Sequence, residues 1–343
     1  MIMIAYKLNF PERKYPSMNR FKTLLIILGT LLLFLVAGTG AYAVYLYQSA
    51  EQAVHTMNES FEEEDETTQE LLVDSEEEDT STEEESNSLT TATEPITFLL
   101  AGIGDRPDDP GRADAVMAIS VNPLDDSVLM FNIPRDTLVE NPETGQMDKL
   151  NHTYANGGIS LLRETTEHFL DHSFDYVISA NMDGFRDIID TIGDIEVENE
   201  FAFSETDEFN DQKYHYDEGN IELDGERALH YVRMRQQDPR GDLGRNARQQ
   251  QVMEAIMEEA LSIQSVFQAG NIIDILGENV STNMAFDEMQ TVFEDYRSAV
   301  DNIETIELEG IDEYRNNSYY YIVEDREQQR ARLKLERHQD RSE

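Results

Sequence analysis

Ile96-Thr97-Phe98-Leu99-Leu100-Ala101-Gly102-Ile103 is a short apolar run rich in strand formers and ended by a glycine step, the pattern of a β-strand. Two further strands follow it, Ala115 to Val121 and Ser127 to Ile133, parted by the turn residues Asn122, Pro123, Asp125 and Asp126. From Asn156-Gly157-Gly158 the period becomes helical, with Ile159, Leu162, Thr166, Phe169 and Leu170 recurring on one side. Phe174 to Ser179 reads as a buried strand, Met182 to Ile192 as a helix and Ile195 to Val197 as a strand after the turn glycine Gly193. Asp224 opens a helix over 224–232, and Gln249 to Leu261 suit another, with Val252, Met253, Ile256 and Ala260 on one face. Amphipathic segments near 265–276 and 285–300 precede a strand, Ile303 to Leu308. Helices alternating with strands predict an α/β layer structure around one central sheet.

Upstream of this region the texture is different. Residues 51–94 carry 17 acids and no Lys or Arg, a composition that cannot bury enough surface to offset its ordering entropy and so predicts a solvated stalk. Before it, residues 23–50 are free of charge, and Thr23 to Val36 are dominated by Leu and Ile. That length crosses a bilayer as a helix, with Tyr42, Tyr45 and Tyr47 at the far interface and Lys7, Arg13, Lys14, Arg20 and Lys22 holding the N-terminus inside. A cleaved signal peptide ending near Ala41-Tyr42-Ala43 is the rival reading. Both readings export residues 51–343.

The 343 residues contain 26 Lys and Arg, 71 Asp and Glu, and no cysteine, for a formal charge of −45. Disulfides, thiol nucleophiles and Cys-ligated metals are thereby excluded. So acidic a body also lacks the basic footprint of nucleic-acid binding. The last twenty residues balance six acids against six bases and are expected to be mobile or a frayed helix.

Against that background, two constellations stand out. Asp105 and Asp114 sit at the end of one strand and the start of the next, where an antiparallel pairing would bring them together; two such carboxylates suit a hard cation such as Mg²⁺. The bland alternative is that these turn aspartates merely cap the loop. The second constellation is basic: Arg135, beside Asp136 after the third strand, and then Arg233, Arg235, Arg240, Arg245 and Arg248. Planar guanidiniums clamp phosphate or pyrophosphate better than Lys does, although isolated surface arginines usually pair with acids to little effect. Asp242 can cap a helix whose first turns carry Arg245, Arg248 and Gln249 on one face, and a helix start already favours anions. Lys149, Asn151 and Tyr154 add a cation and two hydrogen-bonding groups.

In order along the chain, Gly104-Asp105-Arg106, Arg112-Ala113-Asp114, Ile133-Pro134-Arg135-Asp136-Thr137, Lys149-Leu150-Asn151 with Tyr154 and Gly157-Gly158, Asp224-Gly225 with Ala228-Leu229, and Arg233-Met234-Arg235 leading to Asp242, Arg245, Arg248, Gln249 and Gln250 resemble the LytR-CpsA-Psr family. The resemblance runs from about residue 96 to about 262. It implies an α-β-α fold, a central mixed sheet flanked by helices, with an apolar groove for a prenyl chain. It also implies an extracytoplasmic phosphotransferase of Gram-positive bacteria, which moves an anionic glycopolymer of teichoic acid or capsule type from a polyprenyl-pyrophosphate carrier to a peptidoglycan hydroxyl. By position, Asp105 and Asp114 would hold Mg²⁺ or Mn²⁺. Arg112, Arg135, Lys149, Arg233, Arg235, Arg245, Arg248 and Gln249 would meet the pyrophosphate, and Arg135, Arg233, Arg235 and Asp242 would act in catalysis. Where the family commonly has Ser and Thr around the second aspartate, this chain has Ala113 and Ala115. The implied plan is a cytoplasmic stub (1–22), a membrane helix (23–47), an acidic disordered stalk (48–94), a catalytic domain (95–323) and a mobile charged tail (324–343). A carrier pyrophosphatase, a non-catalytic wall-binding module and a transcriptional regulator are the competing functions.

Overall fold

The computed structural model describes residues 40–62, 94–106, 109–207, 212–260 and 269–340. The chain divides after Gln48 into two units. In the first, residues 40–48 are helical; the rest of the membrane span expected over 23–47 lies outside the described residues. Among the described residues, no helix is long and apolar enough to cross a membrane.

The second unit begins with helix α1 (residues 49–62). Its strands are β1 (Ile96–Arg106), β2 (Asp109–Asn122), β3 (Ser127–Asn132), β4 (Leu138–Glu140), β5 (Met147–Lys149), β6 (Tyr176–Asn181), β7 (Ile195–Asn199), β8 (Phe203–Thr206), β9 (Lys213–Tyr216), β10 (Gly219–Leu223), β11 (Val280–Thr282), β12 (Ile303–Thr305), β13 (Ile311–Arg315) and β14 (Ser318–Ile322). The helices after α1 are α2 (Leu150–Leu170), α3 (Met182–Ile192), α4 (Gly225–Arg233), α5 (Asp242–Ala260), α6 (Ala269–Asn279), α7 (Phe286–Asp295) and α8 (Asp325–Gln339).

Six strands make one mixed sheet in the order β11-β6-β1-β2-β3-β12. In it, β1 runs antiparallel to β2 and parallel to β6, while β12 runs parallel to β3. The strand period of two explains why β1 is apolar almost throughout. Leu99, Ala101 and Ile103 enter one core with Leu150, Ile159 and Leu162 of α2 and Ala331 and Leu335 of α8. Ile96 and Phe98 enter another with Tyr296, against which Met253, Met257 and Met289 pack. A third core, under the β7–β10 and β8–β9 pairs, joins Ile189, Phe203, Tyr216, Tyr231 and Val252. Helix α5 lies between the second and third cores, and so its two faces are both spoken for.

Three expectations are corrected. The chain from residue 49 to 62 is not stalk: Ala53, Val54 and Met57 are buried, and Asn58 Nδ2 donates to the Thr282 and Met284 carbonyls at 2.6 and 3.1 Å. Residues 63–93 of the expected stalk lie outside the described residues. The tail is not mobile over 325–339, because α8 buries Ala331 and Leu335 completely and His338 bonds Ser120 and Ser127. The first long helix starts at Leu150 rather than near Gly157, since its two segments join across a kink at Gly157 and Gly158, where Gly158 takes φ 57°.

Candidate functional site

The hairpin of β1 and β2 places the first carboxylate. Gly102 pairs with Ala115 and Ile103 with Ala113, so Asp114 is an extra residue in a β-bulge, which re-aims its side chain. A Cβ on Gly104 would fall on the Asp114 carboxylate; glycine leaves that space open. Asp105 lies in β1, but its side chain, and with it the expected convergence with Asp114, lies outside the described residues.

The turn after β3 supplies the next charges. Thr137 closes it, its N–H and hydroxyl donating to the Pro134 carbonyl at 2.9 and 2.6 Å. Asn151 N–H donates to the Arg135 carbonyl at 3.0 Å, and Tyr321 N–H to that of Asp136 at 2.9 Å. With its backbone fixed from α2 and β14, the turn aims Arg135 Nη1 at Asp114 Oδ1, 2.5 Å away. Arg135 Nε lies 3.5 Å from Asp136 Oδ2, and Lys149 Nζ donates to Asp136 Oδ1 at 2.7 Å. Burial opposes the charge on Arg135, but Asp114 and Asp136 outweigh it and hold the guanidinium above its ordinary pKa.

Helix α5 brings the third component. Asp242 is its first residue, and instead of capping, its Oδ1 meets Arg245 Nη1 at 3.1 Å and Arg235 Nη1 at 3.9 Å. Arg245 is only 4% exposed. Its Nε and Nη2 are buried and take no acceptor. Burial first, then repulsion from Arg135, pushes its pKa down to about 10 against the pull of Asp242 and Asp114, and Arg235 adds to the repulsion. Three guanidiniums thus crowd one place with too few acceptors. Buried donors without partners cost about 1–3 kcal/mol each, and an anion with several oxygens removes that cost.

The remaining residues separate clearly. Arg233, the last residue of α4, is half-buried and, among the described residues, engages no hydrogen bond or ion pair. Arg112 lies opposite Gly104 in the hairpin register. Gln249 accepts from Asn132 Nδ2 at 2.8 Å, at the end of β3. Arg248 is not brought into the cluster: its Nη1 donates to Asp238 Oδ2 at 2.6 Å and its Nη2 to the Met234 carbonyl at 2.5 Å, with the guanidinium against the Phe203 and Tyr231 rings. Three residues beyond Arg245 on a helix is about 60° short of a full turn, enough to put Arg248 in the third core. Its contacts are with Asp238, Met234 and the two rings of that core.

Tyr319 and Tyr320, to which no motif in the sequence points, also lie beside these charges. Lys149 Nζ lies 5.5 Å from the centre of the Tyr320 ring. Burial, then its bond to Asp312, pushes the Tyr319 phenol up, and the fields of Asp242 and Asp136 add to this. The available signal was Asn316-Asn317, a pair at φ 49° and 68° that turns β13 into β14.

The donor set fits a hard divalent ion. Asp114 keeps Oδ2 toward the space above Gly104 while Oδ1 is held by Arg135, and one or two carboxylates with substrate oxygens suffice for Mg²⁺. Among the described residues, a cavity of about 240 Å³ has a lining that includes Ser60, Ile103, Tyr154, Asn181 and Ser281. That lining is more polar than a prenyl groove requires.

Comparison with known proteins finds relatives over most of the chain. The chain is 37% identical over 319 residues, 92% of its own length and 98% of the other's, to polyisoprenyl-teichoic acid–peptidoglycan teichoic acid transferase TagU of Halalkalibacterium halodurans. The crystal structure of Bacillus subtilis TagU is similar at TM-score 0.57 and 34% identity, covering 73% of this chain and 99% of that one. TagT bound to LIIa-WTA is similar at TM-score 0.60 and 28% identity, covering 72% and 92%. The family model described as the LytR_cpsA_psr family matches residues 44–337, taking in α1 and α8 as well as the sheet between them, and the chain belongs to that family.

Proposed function

We propose that this protein transfers an anionic glycopolymer of teichoic acid type from a polyprenyl-pyrophosphate carrier to a sugar hydroxyl of peptidoglycan, outside a membrane to which residues 23–47 anchor it. The observation that carries the reading is Arg245, a buried cation with two unpartnered nitrogens beside Arg135 and Arg235. The relatives named as teichoic acid transferases support the choice of polymer.

In the reaction the acceptor hydroxyl oxygen bonds to the phosphorus nearest the glycan. The anhydride P–O bond breaks, and its electron pair leaves with the polyprenyl phosphate. Arg135, Arg235 and Arg245 bind the phosphoryl oxygens and stabilise the charge that develops on them. A divalent ion at Asp114 would supply further neutralisation. Asp242, with Oδ1 buried and no aligned hydrogen bond, is assigned to receive the acceptor proton; Asp136 is occupied by Lys149.

The test incubates the chain with lipid-pyrophosphate glycan, Mg²⁺ and peptidoglycan, beside Asp114→Ala and Arg235→Ala. Metal-dependent glycan attachment with release of polyprenyl phosphate, lost in both variants, is the expected result. Release without attachment would make the protein a pyrophosphatase, and binding that survives both substitutions without turnover would make it a wall-binding module.

A further inference from the structure

Helix α4 carries Glu226 and His230 one turn apart, and the residue after β8, Asp207, meets them. His230 Nε2 lies 3.4 Å from Glu226 Oε1 and 3.5 Å from Asp207 Oδ2. One ligand atom from each of the three falls within 4.8 Å of the other two. The His230 and Asp207 side chains are buried, at 7% and 9% exposure. None of these groups has a part in the phosphotransfer proposed above.

Two features set the cluster apart from a simple ion pair. Both separations from Nε2 exceed the ~2.7–3.2 Å of N–H···O hydrogen bonds, whereas ligands ~2.0–2.1 Å from a common tetrahedral ion stand ~3.3–3.4 Å apart. The surroundings also orient the ligands. Arg186 Nη1 donates to Glu226 Oε2 at 3.1 Å, Tyr214 OH donates to Oε1 at 3.1 Å, and the Tyr214 ring stacks on His230 at 4.2 Å. Outer partners of this kind fix carboxylate and imidazole directions in metal sites.

We propose that Asp207, Glu226 and His230 bind a divalent ion of borderline character, with Zn²⁺ as the type. One imidazole and two carboxylates form a three-ligand set that leaves a fourth position for water. The ion joins the end of β8 to the last turn of α4. Arg233 follows His230 by one turn, so the ion steadies the segment that delivers Arg233 and Arg235. The site is distinct in ligand chemistry from the all-oxygen position at Asp114.

The full chain, stripped with chelator and kept in excess Mg²⁺, is loaded with Zn²⁺, and retained metal is counted after gel filtration; Co²⁺ replaces Zn²⁺ for the visible spectrum. One Zn²⁺ per chain, tetrahedral Co²⁺ bands and a higher Tm with Zn²⁺ are expected. His230→Gln and Asp207→Asn should each weaken retention by ~100-fold or more, since even outer-shell losses cost 10–100-fold. Absence of tetrahedral bands in the wild type overturns the proposal, even if His230→Gln fails to fold. Equal retention by wild type and a folded Asp207→Asn variant overturns it too, because the ion would then lie elsewhere. Both results are read from metal retention and spectra, so they are distinguishable from a failure of the phosphotransferase reading, which is read from glycan attachment.

Discussion

Methionine at position 245 keeps much of the arginine stem and removes its charge. The structure gives an unusual sign for that change. Arg245 is held below its ordinary pKa, down to about 10, which at ~1.4 kcal/mol per pH unit corresponds to a penalty of about 3 kcal/mol on the buried cation. Asp242 and Asp114 are already counted in that figure as opposing attractions. The substitution also deprives Asp242 of its 3.1 Å partner and leaves it Arg235 at 3.9 Å, a loss that the same figure already contains. The net is a stabilisation of about 3 kcal/mol, which in a domain of this size raises Tm by roughly 6–12 °C. The pH dependence has a matching sign: a base whose folded pKa is depressed costs stability while both states are charged, below about 10, and the cost fades as pH rises above that toward the ordinary arginine value. Differential scanning fluorimetry with and without inorganic pyrophosphate is the assay. Wild type should gain Tm with pyrophosphate, whereas Arg245→Met should start higher and gain nothing. A Tm several degrees below wild type would show that Arg245 is a structural ion pair and sink the case for a reserved anion site.

Arg248→Met should do the opposite three residues away. Asp238 would remain with its side chain 1% exposed and without its cation, a loss of about 3–5 kcal/mol, seen as a Tm lower by roughly 10 °C; an unchanged Tm would return Arg248 to the list of substrate ligands. His338 is held below its usual 6.5 by burial, so its contribution is present above pH 6.5 and lost as pH falls through the folded value. The chain should therefore lose Tm on acidification below about 6.5, and His338→Gln, which keeps a hydrogen-bonding side chain toward Ser120 and Ser127, should flatten that part of the profile.

Where one side-chain period dominated, the sequence was a sufficient guide. Met182 to Ile192 forms the helix expected of it, and Asp224 accepts from Arg227 N–H as the cap of α4. The misses share a physical cause, a short apolar stripe hidden in charge. Ala53, Met57 and Phe61 recur at helical spacing among acids, and Ala331, Leu335 and His338 among six acids and six bases; composition averages over both faces and conceals such stripes. At the site, spacing brought Arg135, Asp242 and Arg245 forward, because turns and helix starts are local. It did not separate Arg248 from Arg245, since which side of α5 meets the β7–β10 and β8–β9 pairs depends on residues far along the chain. Tyr319 and Tyr320 escaped for the same reason: only the pairing of Tyr321 with the Asp136 turn brings them near.

Asp114 owes its direction to being the one residue of β2 without a cross-strand partner at that step. Its aim is therefore a matter of parity, counted from the sheet and not from the hairpin tip. Residues added between Arg106 and Asp109 leave the count intact, so the tip is free to lengthen or change composition. A single residue removed beside Asp114 restores even pairing and sends the carboxylate to the opposite face. The hairpin thus tolerates wide variation in what it shows to solvent and none in frame, and a one-codon deletion there would abolish the acid as surely as its substitution.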